Sequence, residues 1–258
     1  MSYIPSDRYL GSPSIWQMAN GSLVASHDFF GKSTVGDTVQ VFVDHSGQGT
    51  GLESHWRETG NVSAMYWANL FTPPGRMAES GSLFLMGVSS GTPGVPRSIV
   101  LSLSKDYGAS WTVPSVLFPA SANASYHTAP TPLLEGADGR LYRAFEMSVP
   151  GTHSQALVIR TVSPLSAATT AEELLDPTAW ERSSGLPFDP NTMVPPDWDR
   201  PPSRFTWEEG NAVEGPRGGF TTSFASTDRQ TVPTTRRRSW SSWLLRAAAV
   251  AVVVSLAA

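Results

Sequence analysis

The stretch Ser104-Lys105-Asp106-Tyr107-Gly108-Ala109-Ser110-Trp111 decides how this chain is read. It follows Ser98-Ile99-Val100-Leu101-Ser102-Leu103, a short apolar run with the character of a strand. The spacing S-x-D-x-G-x-x-W has a physical sense. As the strand ends, Asp106 can accept backbone N–H bonds in a tight turn, and Gly108 supplies a left-handed backbone position. Trp111 then begins the next strand and packs its ring back over the turn.

Working outward, the same plan recurs. Ile15-Trp16-Gln17-Met18-Ala19-Asn20-Gly21-Ser22-Leu23-Val24-Ala25 reads as strand, Asn-Gly turn, strand. Tyr66–Phe71, a Pro/Gly break and Leu83–Val88 repeat it. Leu133-Leu134 through Asp138-Gly139 to Phe145 repeats it again, and Trp207–Val213 opens a fourth unit. Val39–Asp44, a Gly/Ser-rich insertion and Trp56 resemble a stretched copy of the first turn motif. Units recur at roughly 50 to 70 residues, a long period for stacked sheet repeats.

Composition agrees with short strands and many turns. Gly 22, Pro 21 and Trp 9 accompany only 16% charged residues. A net charge of -4 argues against a nucleic-acid surface. Cysteine is absent, which excludes disulfides and Cys-ligated zinc. His45, His55 and His153 are isolated, so no metal set is expected, and no phosphate-binding or nucleotide-binding glycine motif implies a cofactor. Met1–Arg8 lacks the apolar segment of a signal peptide, and the compartment stays undetermined.

The expected organisation has three parts. Residues 1–220 form the sheet domain, residues 221–238 a disordered Thr/Ser/Arg-rich linker, and residues 239–258 an apolar tail. The tail approaches the ~20 residues that span a bilayer, with Arg236-Arg237-Arg238 before it. A membrane anchor, an unstructured tail and an apolar helix packed on the domain are its three readings.

The turn motif resembles the Asp box of the sialidase (neuraminidase) superfamily, whose structural positions fall here on Ser104, Asp106, Gly108 and Trp111. Tyr9–Ile15, Ala25–Gly31, Tyr126–Pro130, Gly139–Glu146, Leu186–Pro190 and Trp207–Asn211 extend the resemblance to a sialidase-like subfamily across about residues 9 to 215. It implies an all-β fold, a β-propeller of four-stranded antiparallel blades. This chain supplies about three to four of the 4–8 blades of such folds, so an incomplete propeller is expected. The resemblance also implies a glycan site on the blade axis. The sialidases' first-blade Arg before a Pro is replaced here by Gly11-Ser12-Pro13.

Residue types nominate the site. The resemblance makes Asp28 the acid/base, beside His27 as a substrate contact; a turn-capping Asp is the plain alternative. Tyr126 and His127 are candidates for proton transfer or substrate hydrogen bonding. Arg143 is a candidate carboxylate receptor and Glu146 a second catalytic carboxylate. Their separation of three puts them on opposite faces of a regular strand. Glu209 with Asn211, and Trp207 and Trp67 as stacking platforms, complete the set. Three functions stay open: a glycosidase removing a terminal sugar, a lyase or atypical glycosidase on acidic glycans using His and Tyr, and a non-catalytic glycan-binding propeller. The partner in each is an oligosaccharide.

Overall fold

The structure, a computed structural model, describes residues 8–31, 38–45, 55–73, 75–92, 94–148, 154–189, 191, 205–214, 220–228 and 249–252. They form an all-β propeller. The first blade is the meander β1 (Arg8–Gln17), β2 (Leu23–Gly31), β3 (Thr38–Asp44) and β4 (Arg57–Ser63). The second is β5 (Tyr66–Phe71), β6 (Leu83–Val88), β7 (Ile99–Ser104) and β8 (Ser115–Phe118), with the one-turn helix α1 (Arg76–Glu79) between its first two strands. In the third blade the first position is split. Both β9 (Ser125–His127) and β10 (Leu134–Glu135) pair with β11 (Leu141–Ser148). The last position is split too, β13 (Trp180–Arg182) and β14 (Leu186–Pro187) both pairing with β12 (Gln155–Thr161). The fourth sheet is β15 (Phe205–Glu214), β16 (Phe220–Asp228) and β17 (Ala249–Val252). All pairings are antiparallel.

Blade stacking explains the sequence pattern. Every residue of β6 and β7 is buried, because these strands have a blade on each side and need apolar groups on both faces. Leu83 and Leu85 pack with Val24, Val41 and Val43 of the first blade. The alternating Phe84, Met86 and Val88 pack with Phe145, Leu157 and Ile159 of the third. Tyr142 and Val158 meet Ala212 of the fourth.

The turn motif behaves as its chemistry requires. Asp106 Oδ1 accepts from Ser110 N–H at 2.8 Å, and its Oδ2 accepts from the Ser110 hydroxyl at 2.6 Å. Burial works against the charged carboxylate, but these bonds and one from Ser104 outweigh it and hold Asp106 below the usual carboxylate range. Gly108, at φ +89°, presses on Val24, whose Cγ1 would lie 3.1 Å from an added Cβ. The motif therefore docks the second blade onto the first, and Thr59 reinforces this by donating to Gly108 O at 2.9 Å. Trp111 Nε1 donates back to Gly108 O at 3.2 Å. Trp111 does not begin the next strand, however. The turn needs its ring folded inward, and β8 starts only at Ser115.

One irregularity recurs and positions the site. Pairing of β1 with β2 steps from Gly11↔Asp28 to Ser14↔Ser26. Pairing of β5 with β6 steps from Tyr66↔Val88 to Asn69↔Met86, and of β15 with β16 from Glu208↔Ala225 to Asn211↔Ser223. Each time, two residues of the blade's first strand face one of the second, a β-bulge. The third blade breaks at the same level, between His127 and Leu134. The bulges are joined by side chains. The Ser14 hydroxyl donates to Asn69 Oδ1 at 3.0 Å, Asn69 Nδ2 to Thr131 O at 3.3 Å, and the Thr131 hydroxyl to Gly210 O at 3.0 Å.

Gly87 permits the bulge in β5. A Cβ there would lie 2.5 Å from Tyr66 O and 3.0 Å from Ala68 Cα, and backbone cannot rotate away. Gly87→Ala is expected to lower stability by about 1–3 kcal/mol and to move Trp67. Urea denaturation with tryptophan fluorescence checks both parts.

The linker expected over 221–238 is a strand as far as Asp228. Thr221, Thr222, Phe224 and Thr227 are strand-favouring residues, and β15 offers them an edge to pair with. Residues 229–238 lie outside the described residues. So does the apolar tail except Ala249–Val252, which pairs with β16. Among the described residues no helix is long and apolar enough to cross a membrane.

Candidate functional site

The bulges give the blades a common register. Asp28, Val88, Glu146 and Ala225 all stand at one position, on the second strand one pair before the break. Asp28 and Glu146 are thus equivalent residues two blades apart. Each reaches the next blade's bulge and accepts a backbone N–H there. Asp28 Oδ2 accepts from Trp67 at 2.8 Å, and Glu146 Oε1 from Gly210 at 2.7 Å. A bulge turns N–H groups out of the ladder, and these carboxylates take them up.

The two carboxylates differ in their second oxygen. Asp28 is 1% exposed, and its Oδ1 is buried without a hydrogen bond. Burial raises its pKa to about 7, although the bonds from Trp67 N–H and the Ser12 hydroxyl pull it down. Such a group holds a proton at neutrality and can give it away. Glu146, also 1% exposed, has both oxygens engaged, its Oε2 lying 2.8 Å from His127 Nδ1. With Glu146 ionised, Nδ1 carries the proton and Nε2 presents a lone pair. His127 is 24% exposed, so its ring can meet a ligand while Glu146 fixes its orientation.

Trp67 joins the two halves. Its N–H holds Asp28, and its ring meets His127 edge-on at 4.2 Å between centroids. It sits at φ +50°, a sparsely populated conformation for a bulky residue. Such strain persists only where the surroundings over-determine it, and it concentrates at functional sites. The Arg97 guanidinium lies over the same indole, 4.7 Å from its centroid.

Strand parity removes several expected members. His27 points away from Asp28, stacking on Phe42 at 5.3 Å and meeting Phe29 edge-on at 5.0 Å. Burial there lowers its pKa and keeps it neutral. Tyr126 is 4% exposed in the core between the second and third blades, on the opposite face of β9 from His127. Arg143 is fully buried, donating to Met86 O and, at 3.1 Å, to Ala129 O. It clamps two blades, its guanidinium committed to these two carbonyls. Trp207 packs in the core, edge-on to Phe188 at 5.2 Å. Asn211 is half-buried just past the fourth bulge. Glu209 lies within that bulge, and its side chain is outside the described residues. The site therefore assembles Asp28, Trp67, His127 and Glu146. Arg97, Asn69 and Ser12 join it unforeseen. Arg97 lies in a loop without periodicity, whereas aligning the second strands would have paired Asp28 with Glu146.

No family model matches the chain, and no curated protein matches it by sequence. Solved structures do match in fold. An α-L-arabinanase of Penicillium chrysogenum complexed with arabinobiose superposes with a TM-score of 0.53 at 17% identity, over 87% of this chain and 58% of that one. A GH93 α-L-arabinofuranosidase of Fusarium graminearum gives 0.53 at 13%, over 86% and 58%. A polysaccharide lyase, an ulvan lyase, gives 0.50 at 12%, over 84% and 51%. The chain spans less than two thirds of each. At these identities the likeness is one of fold, the propeller expected from the turn motif. These neighbours are carbohydrate-active enzymes.

Proposed function

We propose that this chain is a carbohydrate-active enzyme that cleaves a terminal glycosidic bond at the axial site, in the manner of a glycoside hydrolase. The observation that carries the reading is the unequal pair: two equivalent carboxylates, one protonated near neutrality and one orienting a histidine. A carboxyl that keeps a proton near neutrality suits the acid role, and a histidine oriented by a carboxylate suits the base role. Asp28 donates its proton to the leaving oxygen as the bond from the anomeric carbon breaks. Water attacks that carbon, and its proton passes to His127 Nε2, whose imidazolium Glu146 stabilises. Both groups then return to their starting states by exchange with solvent. Arabinobiose in the arabinanase complex makes arabino-oligosaccharides one set of substrates to try.

The acid role sets a pH dependence. Asp28 acts only while protonated, so kcat/KM is expected to fall about tenfold per unit above about pH 7. A pH–rate profile on released reducing ends checks this. A flat profile through that region contradicts the assignment. Product analysis separates hydrolysis from β-elimination, the rival suggested by the lyase-like fold. Elimination leaves a conjugated, ultraviolet-absorbing unsaturated uronate, and hydrolysis does not.

A further inference from the structure

Arg97 adjoins the site through Trp67. Its guanidinium lies over the Trp67 ring, which itself contacts His127. Arg97 Nε is buried and has no hydrogen-bond partner. Among the described residues no carboxylate lies within salt-bridge distance of it. Its backbone is fixed on both sides, its N–H donating to Ser125 Oγ at 3.1 Å and its carbonyl accepting from Tyr126 at 2.9 Å. A half-buried guanidinium held over an indole loses rotamer freedom, and its planar fork suits a carboxylate or sulfate. Burial lowers its pKa, against a smaller raising influence of Tyr66.

We infer that Arg97 is the specificity residue of the axial site and that it binds an anionic group of the substrate, making the substrate an acidic glycan of the uronate class. This rests on the glycan reading above and replaces Arg143, which the blade interface consumes, as the anion receptor. Asp28 protonated and Glu146 tied to His127 Nδ1 both limit repulsion of an incoming carboxylate.

The test is calorimetric titration of the full chain with hexuronates, each paired with its neutral hexose, galacturonate with galactose first. At least one uronate is expected to bind about tenfold or more tighter than its neutral partner, an advantage that shrinks as sodium chloride is raised. Arg97→Gln is expected to erase the advantage, the uronate then binding no tighter than its neutral partner. Arg97→Lys keeps the charge without the fork and is expected to retain part of it. Equal binding within every pair overturns the inference and leaves the glycan reading standing. So does an advantage that survives Arg97→Gln or is indifferent to salt. No binding by any sugar overturns both. The salt series on the unaltered protein decides the matter even where a variant fails to fold.

Discussion

Asp28→Asn is expected to cut turnover steeply and to stabilise the protein above neutral pH. The two effects have one cause. The folded chain holds a proton on Asp28 up to about pH 7, whereas the unfolded chain releases it near 3.8. A raised carboxyl pKa means that the native state binds more protons between those values. Stability therefore falls as pH rises through that window and stays level above it. Asn is uncharged and escapes the fall. At about pH 8 the gain approaches 4 kcal/mol, the free energy of a shift of that size. Below the unfolded pKa the variant and parent are expected to match. Asn has no proton to give the leaving group, and loss of a general acid lowers the rate by about 10²–10⁴-fold. Melting temperatures at about pH 4 and about pH 8, beside turnover, check both halves. A variant that lost activity without gaining stability would point to a disturbed Trp67 bulge instead.

Arg143→Ala is expected to do the reverse: to weaken the fold and spare the chemistry. The guanidinium bridges Met86 O in the second blade and Ala129 O after β9, and its face covers Phe145 at 5.2 Å. Burial pulls its pKa down to about 9, so it remains charged at neutrality and its burial is itself unfavourable. Relief of that burden offsets part of the loss. Against it stand two orphaned buried carbonyls, about 1–3 kcal/mol each, and the cavity left by a long side chain, about 2–5 kcal/mol. The net expectation is about 3 kcal/mol of destabilisation, with KM unchanged at temperatures where the variant is folded. Arg143→Met fills the volume without the donors and should fall between. Had Arg143 been the carboxylate receptor suggested by its residue type, KM would rise and stability would barely move. Denaturant titration beside Michaelis kinetics separates the two outcomes.

The same two residues show what could be read in advance. The Ser104–Trp111 turn, the Asn20-Gly21 and Asp138-Gly139 turns and the fourth unit at Trp207 carry their geometry locally, so the propeller was legible. Period-two parity separated Arg143 from Glu146 correctly, because β11 runs without a register shift. The same rule, applied to neighbours, divides His27 from Asp28 and Tyr126 from His127. Sequence adjacency had suggested partnerships that a strand forbids. Blade-to-blade burial decided Arg143 and Trp207, and no local pattern shows which face a neighbouring blade will cover. Arg97 was illegible for another reason. Its place depends on Trp67 turning at a bulge, on the room left by Gly87, and on a loop held by Ser125, three contacts distant in sequence.

The central claim is that the axial site cleaves glycosidic bonds through Asp28 and Glu146. Its most direct test is release of new reducing ends by the intact chain from arabinan-type and uronate-containing oligosaccharides, beside the double variant Asp28→Asn/Glu146→Gln. The account predicts release by the parent from at least one substrate and none above background from a folded double variant. Release that persists in the folded double variant, or none from the parent on any glycan, would contradict it.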